Sequence, residues 1–139
     1  MSGVKAIHEA GFVNRDIKVS NILIDKEMKV KISDFGLSAP LKGCSCLNER
    51  HDCETESCQQ SGRLYTLAGT PGILAPEINK HLDDGFVPTG YNGEAVDVFN
   101  AGIVLFNLLF ATGPFHNAAE DDSYYQHVAK NEGTEFWKK

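Results

Sequence analysis

The sequence has no long basic run. Its 13 Lys and Arg stand against 19 Asp and Glu, for a net charge of −6. Such a chain offers no positive footprint for nucleic acid or an anionic membrane, and neither is expected as a partner. Nothing at the start resembles a secretory signal, since Met1 to Ala10 carries Lys5, His8 and Glu9 and no apolar run. No apolar run looks long enough to span a bilayer. The most apolar stretch, Ile103–Ala111, is short, contains Asn107 and follows Asp97 and Asn100. A helix apolar on nearly all sides, as this one reads, is expected to be buried in protein. These absences lead to the expectation of a soluble, intracellular (cytoplasmic) protein whose four cysteines stay thiols. No internal repeat is visible, and 139 residues suffice for one core.

What is present concentrates between Asn14 and Gly36. That stretch reads Asn-Arg-Asp-Ile-Lys-Val-Ser-Asn, then Ile22-Leu23-Ile24, a polar turn over 25–27, Val30-Lys31-Ile32, and Ser33-Asp34-Phe35-Gly36. The two β-branched runs around a polar turn predict a short hairpin. A hairpin reverses the chain, so Asp34 returns beside the loop that carries Asp16, Lys18 and Asn21. Two carboxylates, an amide and an ammonium then surround one point. That set suits magnesium-phosphate chemistry: oxygen ligands for a hard cation, a positive charge for phosphate, and a carboxylate for a hydroxyl proton.

Elsewhere the patterning predicts a helix bearing Val4, Ile7 and His8 on one face and ending near Gly11. Residues 37–74 lack a sustained period and read mostly as loop. A short helix is expected over 78–84 and a Gly/Pro/Asn-rich link from Gly85 to Gly93. The main helix is placed at about 94–111, with Val96, Phe99, Ile103, Phe106 and Phe110 spaced by three or four and a stop at Gly113-Pro114. A last amphipathic helix is expected over about 120–131, with Tyr124, Tyr125 and Val128 inward.

The Asn14–Gly36 stretch resembles the catalytic loop (14–21) and magnesium loop of eukaryotic protein kinases. Further blocks fall in that family's order. Gly69-Thr70-Pro71 and Ala75-Pro76-Glu77 resemble the end of the activation segment, here 34–77. Asp97-Val98-Phe99-Asn100-Ala101-Gly102 resembles the start of the long buried helix, and Gly113-Pro114-Phe115 its exit. Five ordered matches leave little room for coincidence. The Asp-x-Lys spacing resembles serine/threonine kinases (calcium/calmodulin-kinase-like or related), not tyrosine kinases.

The resemblance implies a mainly α fold from an α+β parent, with the hairpin carrying both loops. It implies Ser/Thr protein substrates, ATP and Mg²⁺. Residue by residue, Asp16 becomes the base for the substrate hydroxyl and Lys18 the cation on the transferring phosphoryl group. Asn21 and Asp34 become magnesium ligands, and Leu23 faces the adenine. Phe35 would pack behind the site, and Asp97 would hydrogen-bond the catalytic-loop backbone. Arg15 implies a switch by phosphate in the activation segment, with Thr66 as acceptor, and Thr70 would bond Asp16 and Lys18. Leu67, Pro71 and Leu74 match an apolar pocket for the residue after the phosphoacceptor. Ser20 and Gly72 stand where arginine-preferring relatives keep Glu. Two positions depart from the pattern: Asn14 replaces a His, and Phe99-Asn100 replaces Trp-Ser.

Nothing before residue 14 resembles the glycine-rich loop or strand Lys of the family. The expectation is therefore a partial domain over 1–139: the C-terminal lobe, truncated at both ends, with the N-lobe and final helices absent. Glu77 would lack its distant Arg partner. An alternative follows, a non-catalytic kinase-like fragment or pseudokinase acting as a binding module. One insertion stands outside the family pattern. Cys44, Cys46, His51, Cys53 and Cys58 could close a zinc site or respond to redox state. Their spacing is not a common zinc pattern, and a disordered thiol-bearing insert is the plainer reading.

Overall fold

The computed structural model describes residues 2–41 and 63–138. The insertion with Cys44, Cys46, His51, Cys53 and Cys58 lies outside the described residues. Helix α1 spans Ser2–Glu9. Its spacing of Val4 and Ile7 turns one face inward, and Gly11, with φ 85°, takes the left-handed conformation that ends it. Val4 packs in a small cluster with Ile17 and Val104.

Among the described residues, three two-stranded antiparallel sheets follow. Strand β1 (Phe12–Val13) pairs with β4 (Ala39–Pro40). The predicted hairpin forms from β2 (Ile22–Ile24) and β3 (Val30–Ile32), in register Ile22↔Ile32 and Ile24↔Val30. Its turn is fixed by the Asp25 carboxylate, which accepts from the Glu27 and Lys29 N–H groups at 2.9 Å each. The third sheet pairs β5 (Arg63–Thr66) with β6 (Phe86–Asn92).

The strands refine one expectation and correct another. The region read mostly as loop contains β4 and β5, and the link read from Gly85 to Gly93 is largely strand β6. Gly, Pro and Asn masked the strand. Pro88 lacks an N–H, which suits an edge of a two-stranded sheet, while Val87 and Tyr91 turn into the core. The main cluster gathers Val13, Leu64, Ala75, Ile78, Val87 and Val96.

Helix α2 spans Pro76–Asn79 with Pro at its first turn, and turns, not the expected helix, occupy 80–84. Helix α3 spans Gly93–Phe110. Asn92 caps its start by accepting from the Glu94 and Ala95 N–H groups. Ala111, left-handed at φ 55°, closes its end.

Only one face of α3 is buried, through Val96, Asp97, Asn100, Ile103 and Val104. Leu105, Leu108 and Leu109 are 59–67% exposed, so the helix is not buried on all sides as expected. Among the described residues α3 is the one helix long and apolar enough, by length and composition, to cross a membrane. The last expected helix, over about 120–131, is shortened to α4 (Tyr125–Ala129), and a further short helix, α5 (Gly133–Phe136), follows it. Asn131 turns left-handed at φ 57° between them, and Tyr124 and Val128 lie exposed instead of inward.

Candidate active site

The catalytic-loop region sits between the two clusters and is held by side chains distant in sequence. Asp97, fully buried on α3, accepts from the Asn14 N–H at 2.9 Å and the Arg15 N–H at 2.7 Å. His8 Nε2 from α1 meets the same carboxylate at 2.9 Å. A buried carboxylate is costly without partners, and here it has three. Arg15 adopts φ 68°, a left-handed conformation that costs a non-glycine residue about 1–3 kcal/mol. The Asp97 bonds hold the backbone in it.

Beyond this anchor, Asp16 is 5% exposed and its carboxylate is gripped from two sides. The Thr70 hydroxyl donates to Oδ1 at 2.5 Å, and Lys18 Nζ lies 2.8 Å from Oδ2. Lys18 Nζ also donates to the Thr70 hydroxyl at 2.7 Å, closing a three-membered ring of polar contacts. Asn21 Nδ2 donates to the Asp16 carbonyl at 3.0 Å and to Oδ2 at 3.3 Å. That leaves Asn21 Oδ1 as an oxygen donor.

The hairpin brings Asp34 next to this group. Ser33 donates through its N–H and its hydroxyl to the Asn21 carbonyl, at 2.8 and 3.0 Å. Asp34, the next residue, is exposed at φ 60°, and its Oδ1 accepts the Gly36 N–H at 3.1 Å. Asn14, fully buried, ties the two loops. Its amide donates to the Asp34 carbonyl at 3.0 Å, and its Oδ1 accepts the Asp16 N–H at 3.1 Å. The departure from His therefore keeps both of its polar ends satisfied. Phe35 is about half exposed and lines an apolar recess of about 570 Å³ with Ile7, Phe12 and Ser38, so it is not packed behind the site as expected.

Magnesium favours one or two carboxylate or carbonyl ligands completed by phosphate oxygens and water. Asn21 Oδ1 and the exposed Asp34 carboxylate fit that demand. Among the described residues no group of three His, Cys, Asp or Glu could hold a metal ion.

The other candidates scatter more widely. Leu23 is 53% exposed on β2, presenting an open apolar surface beside Asn21. Leu74 is buried in the main cluster and Leu67 packs against it, whereas Pro71 is exposed. Thr66 lies on β5, and its hydroxyl accepts from Arg15 Nη1 at 2.9 Å. Glu77 makes no ion pair among the described residues.

Sequence reasoning missed Tyr91. Its hydroxyl accepts from Arg15 Nη1 at 3.1 Å and donates to the Thr66 carbonyl at 2.8 Å. Burial pushes this phenol above its ordinary pKa, with the adjacent Arg15 pulling the other way. The proton is thus retained for donation. No local signal in the sequence marks Tyr91, because its role depends on a strand pairing that its neighbours disguise.

A strained loop buttressed by a helix carboxylate thus faces a carboxylate–lysine–threonine ring. The family model described as Protein kinase domain matches residues 1–138. The chain belongs to the protein kinase domain family. It is 34% identical over 132 residues to CBL-interacting protein kinase 26 of Oryza sativa subsp. japonica, covering 95% of this chain and 22% of that protein. It is 38% identical over 117 residues to CBL-interacting serine/threonine-protein kinase 2 of Arabidopsis thaliana, covering 84% and 21%. With CBL-interacting serine/threonine-protein kinase 20 of the same plant it shares 38% over 127 residues, covering 90% and 24%. The chain spans about a quarter or less of the length of these curated relatives.

Proposed function

We propose that this chain is the C-terminal lobe of a serine/threonine protein kinase and supplies the groups that move the ATP γ-phosphate to a protein hydroxyl. The observation that carries this reading is the ring of Asp16, Lys18 and Thr70, with Asn21 bonded to the same carboxylate. Asp16 orients the substrate hydroxyl and takes its proton as the oxygen attacks phosphorus. Lys18 lies 2.8 Å from Asp16 and neutralises charge on the transferring group. Thr70 fixes both, so the base and the cation are placed before substrate arrives. Asn21 and Asp34 would hold Mg²⁺, which would supply positive charge to the nucleotide phosphates. Leu23 offers its exposed side to the adenine. Leu67, Pro71 and Leu74 favour an apolar residue after the target Ser or Thr, and Thr66 faces Arg15 as the position of a regulatory phosphate.

The test is phosphate transfer to a Ser/Thr peptide alongside Mg-dependent ATP binding by calorimetry. Asp16→Asn is expected to lower transfer by about 10²–10⁴-fold and leave ATP binding in place. Asp34→Asn is expected to remove the Mg-dependent part of binding. ATP binding indifferent to both Mg²⁺ and Asp34 sinks the proposal. A second reading, a kinase-like binding module without catalysis, is favoured by the open surface at Leu23 and Phe35. It predicts no transfer even where ATP binds.

A further inference from the structure

The 86–92 strand has no counterpart in the sequence motifs, yet it makes contacts on which the catalytic loop depends. Strand β6 pairs Leu64↔Tyr91 and Thr66↔Phe86 with β5, and a bulge lies between the two pairs. The pairing is close. Gly90 runs at φ 63°, and a Cβ there would fall 2.9 Å from the Tyr65 ring. Arg63 Nη1 donates to the Thr89 and Gly90 carbonyls at 2.9 and 3.1 Å. Leu64, 1% exposed, anchors β5 in the main cluster.

Through Tyr91 this sheet reaches Arg15. One guanidinium nitrogen serves two neutral oxygens, the Thr66 hydroxyl and the Tyr91 hydroxyl, while Nε donates to the Leu37 carbonyl at 2.6 Å. Tyr91 in turn donates to the Thr66 carbonyl. Arg15, Thr66 and Tyr91 thus form a closed triangle that contains no anion.

We propose that Tyr91, carried by β6, is a positioning residue that locks the 63–70 segment to the catalytic loop without a phosphate on Thr66. An activation segment otherwise relies on a charge-assisted bond from arginine to phosphate to overcome the entropy of ordering a loop. Here the ordering comes from main-chain pairing to β6, from burial of Leu64 and from the Tyr91 bridge. The latch lies four residues upstream of Thr70, so it sets the Asp16–Lys18–Thr70 ring. Its bearing on catalysis rests on the proposed kinase reading; the latch itself does not.

Hydrogen exchange of the unphosphorylated 139-residue chain tests the latch, read on amides of 63–67 and 14–18 with Val96–Val104 as internal reference. The amides of 64–66 are expected to be protected without phosphate. Tyr91→Phe keeps the ring and removes two hydrogen bonds, and should speed exchange at both 63–67 and 14–18 by about three- to tenfold with α3 unchanged. In an Arg15→Lys background the same change should add less than it does alone, because one of the two hydrogen bonds it removes is the one from Arg15. Thr66→Val keeps the shape of the side chain, and is expected to speed exchange at 14–18 while β5 stays paired. Wild-type amides at 63–67 that become protected only after Thr66 is phosphorylated overturn the proposal. So does a Tyr91→Phe effect that never reaches 14–18, or one fully additive with Arg15→Lys. A working latch in a chain that transfers no phosphate would count against the kinase reading alone.

Discussion

Asn14 and Asn100 are both buried asparagines at positions where the sequence departs from the family pattern, yet they differ in what they bond. Asn14 spends its donor on Asp34 and its acceptor on Asp16. Asn100 is 2% exposed, and its Oδ1 finds no partner among the described residues. A buried group left unpaired costs about 1–3 kcal/mol, whereas removing an already unpaired one relieves that cost. Asn14→Ala is therefore expected to destabilise by about 1–3 kcal/mol in urea unfolding, and Asn100→Ala by clearly less despite a similar loss of volume. An equal loss in both would show that packing, not hydrogen bonding, decides. The polar residues of the catalytic loop were legible in the sequence because their spacing is tied to a short hairpin and stays local. Tyr91 was not legible, since its partner Thr66 lies 25 residues away across a sheet that composition hid.

The boundaries of elements followed how explicit their end signals were. Asn92 and Gly113-Pro114 bracket α3, and its span came out within a residue or two at each end. The helix expected over 120–131 forms only over Tyr125–Ala129, because the Asp122 carboxylate binds the N–H groups of His116, Asn117, Tyr124 and Tyr125 in a turn before it and Asn131 turns left-handed after it. Gly93, the first residue of α3, illustrates a constraint that periodicity does not reveal. A Cβ there would lie 2.7 Å from Val13 Cγ2 and 2.8 Å from Leu64 Cδ1. Gly93→Ala should cost about 1–3 kcal/mol by forcing α3 away from β1 and β5, although alanine is the better helix former. A thermal midpoint unchanged by Gly93→Ala would refute this.

The Asp122 turn before α4 gives a pH signature. Burial raises its pKa, but the N–H groups of Tyr125, Asn117, His116 and Tyr124 outweigh that and hold it below the ordinary 3.8. The folded carboxyl binds its proton less readily than the unfolded one, so its contribution is full above about pH 4 and is lost as pH falls through the folded value. Asp122→Ala is expected to be less stable than the parent at pH 7, with the gap narrowing below about pH 4. A gap that stays constant down to pH 2 would contradict it.

For the molecule as a whole, Asp97 adds a polar tie to regions that also meet in the Val4, Ile17 and Val104 cluster. It joins α1 through His8, the catalytic loop through Asn14 and Arg15, and the buried face of α3. Asp97→Ala leaves two buried backbone N–H groups unpaired and should lower stability by about 2–6 kcal/mol, a large part of the roughly 5–15 kcal/mol of a typical domain. Exchange should rise in α1 and the catalytic loop together; a rise confined to α3 would argue against the coupling. The separation of Arg15 from Asp97 is 82 residues. At a synthesis rate of roughly 5–20 residues per second, the ribosome produces the loop about 4–16 s before the carboxylate that shapes it. Throughout that interval the nascent loop lacks the carboxylate that accepts the Asn14 and Arg15 N–H groups. The loop's geometry is therefore completed only once Asp97 and the start of α3 have been made.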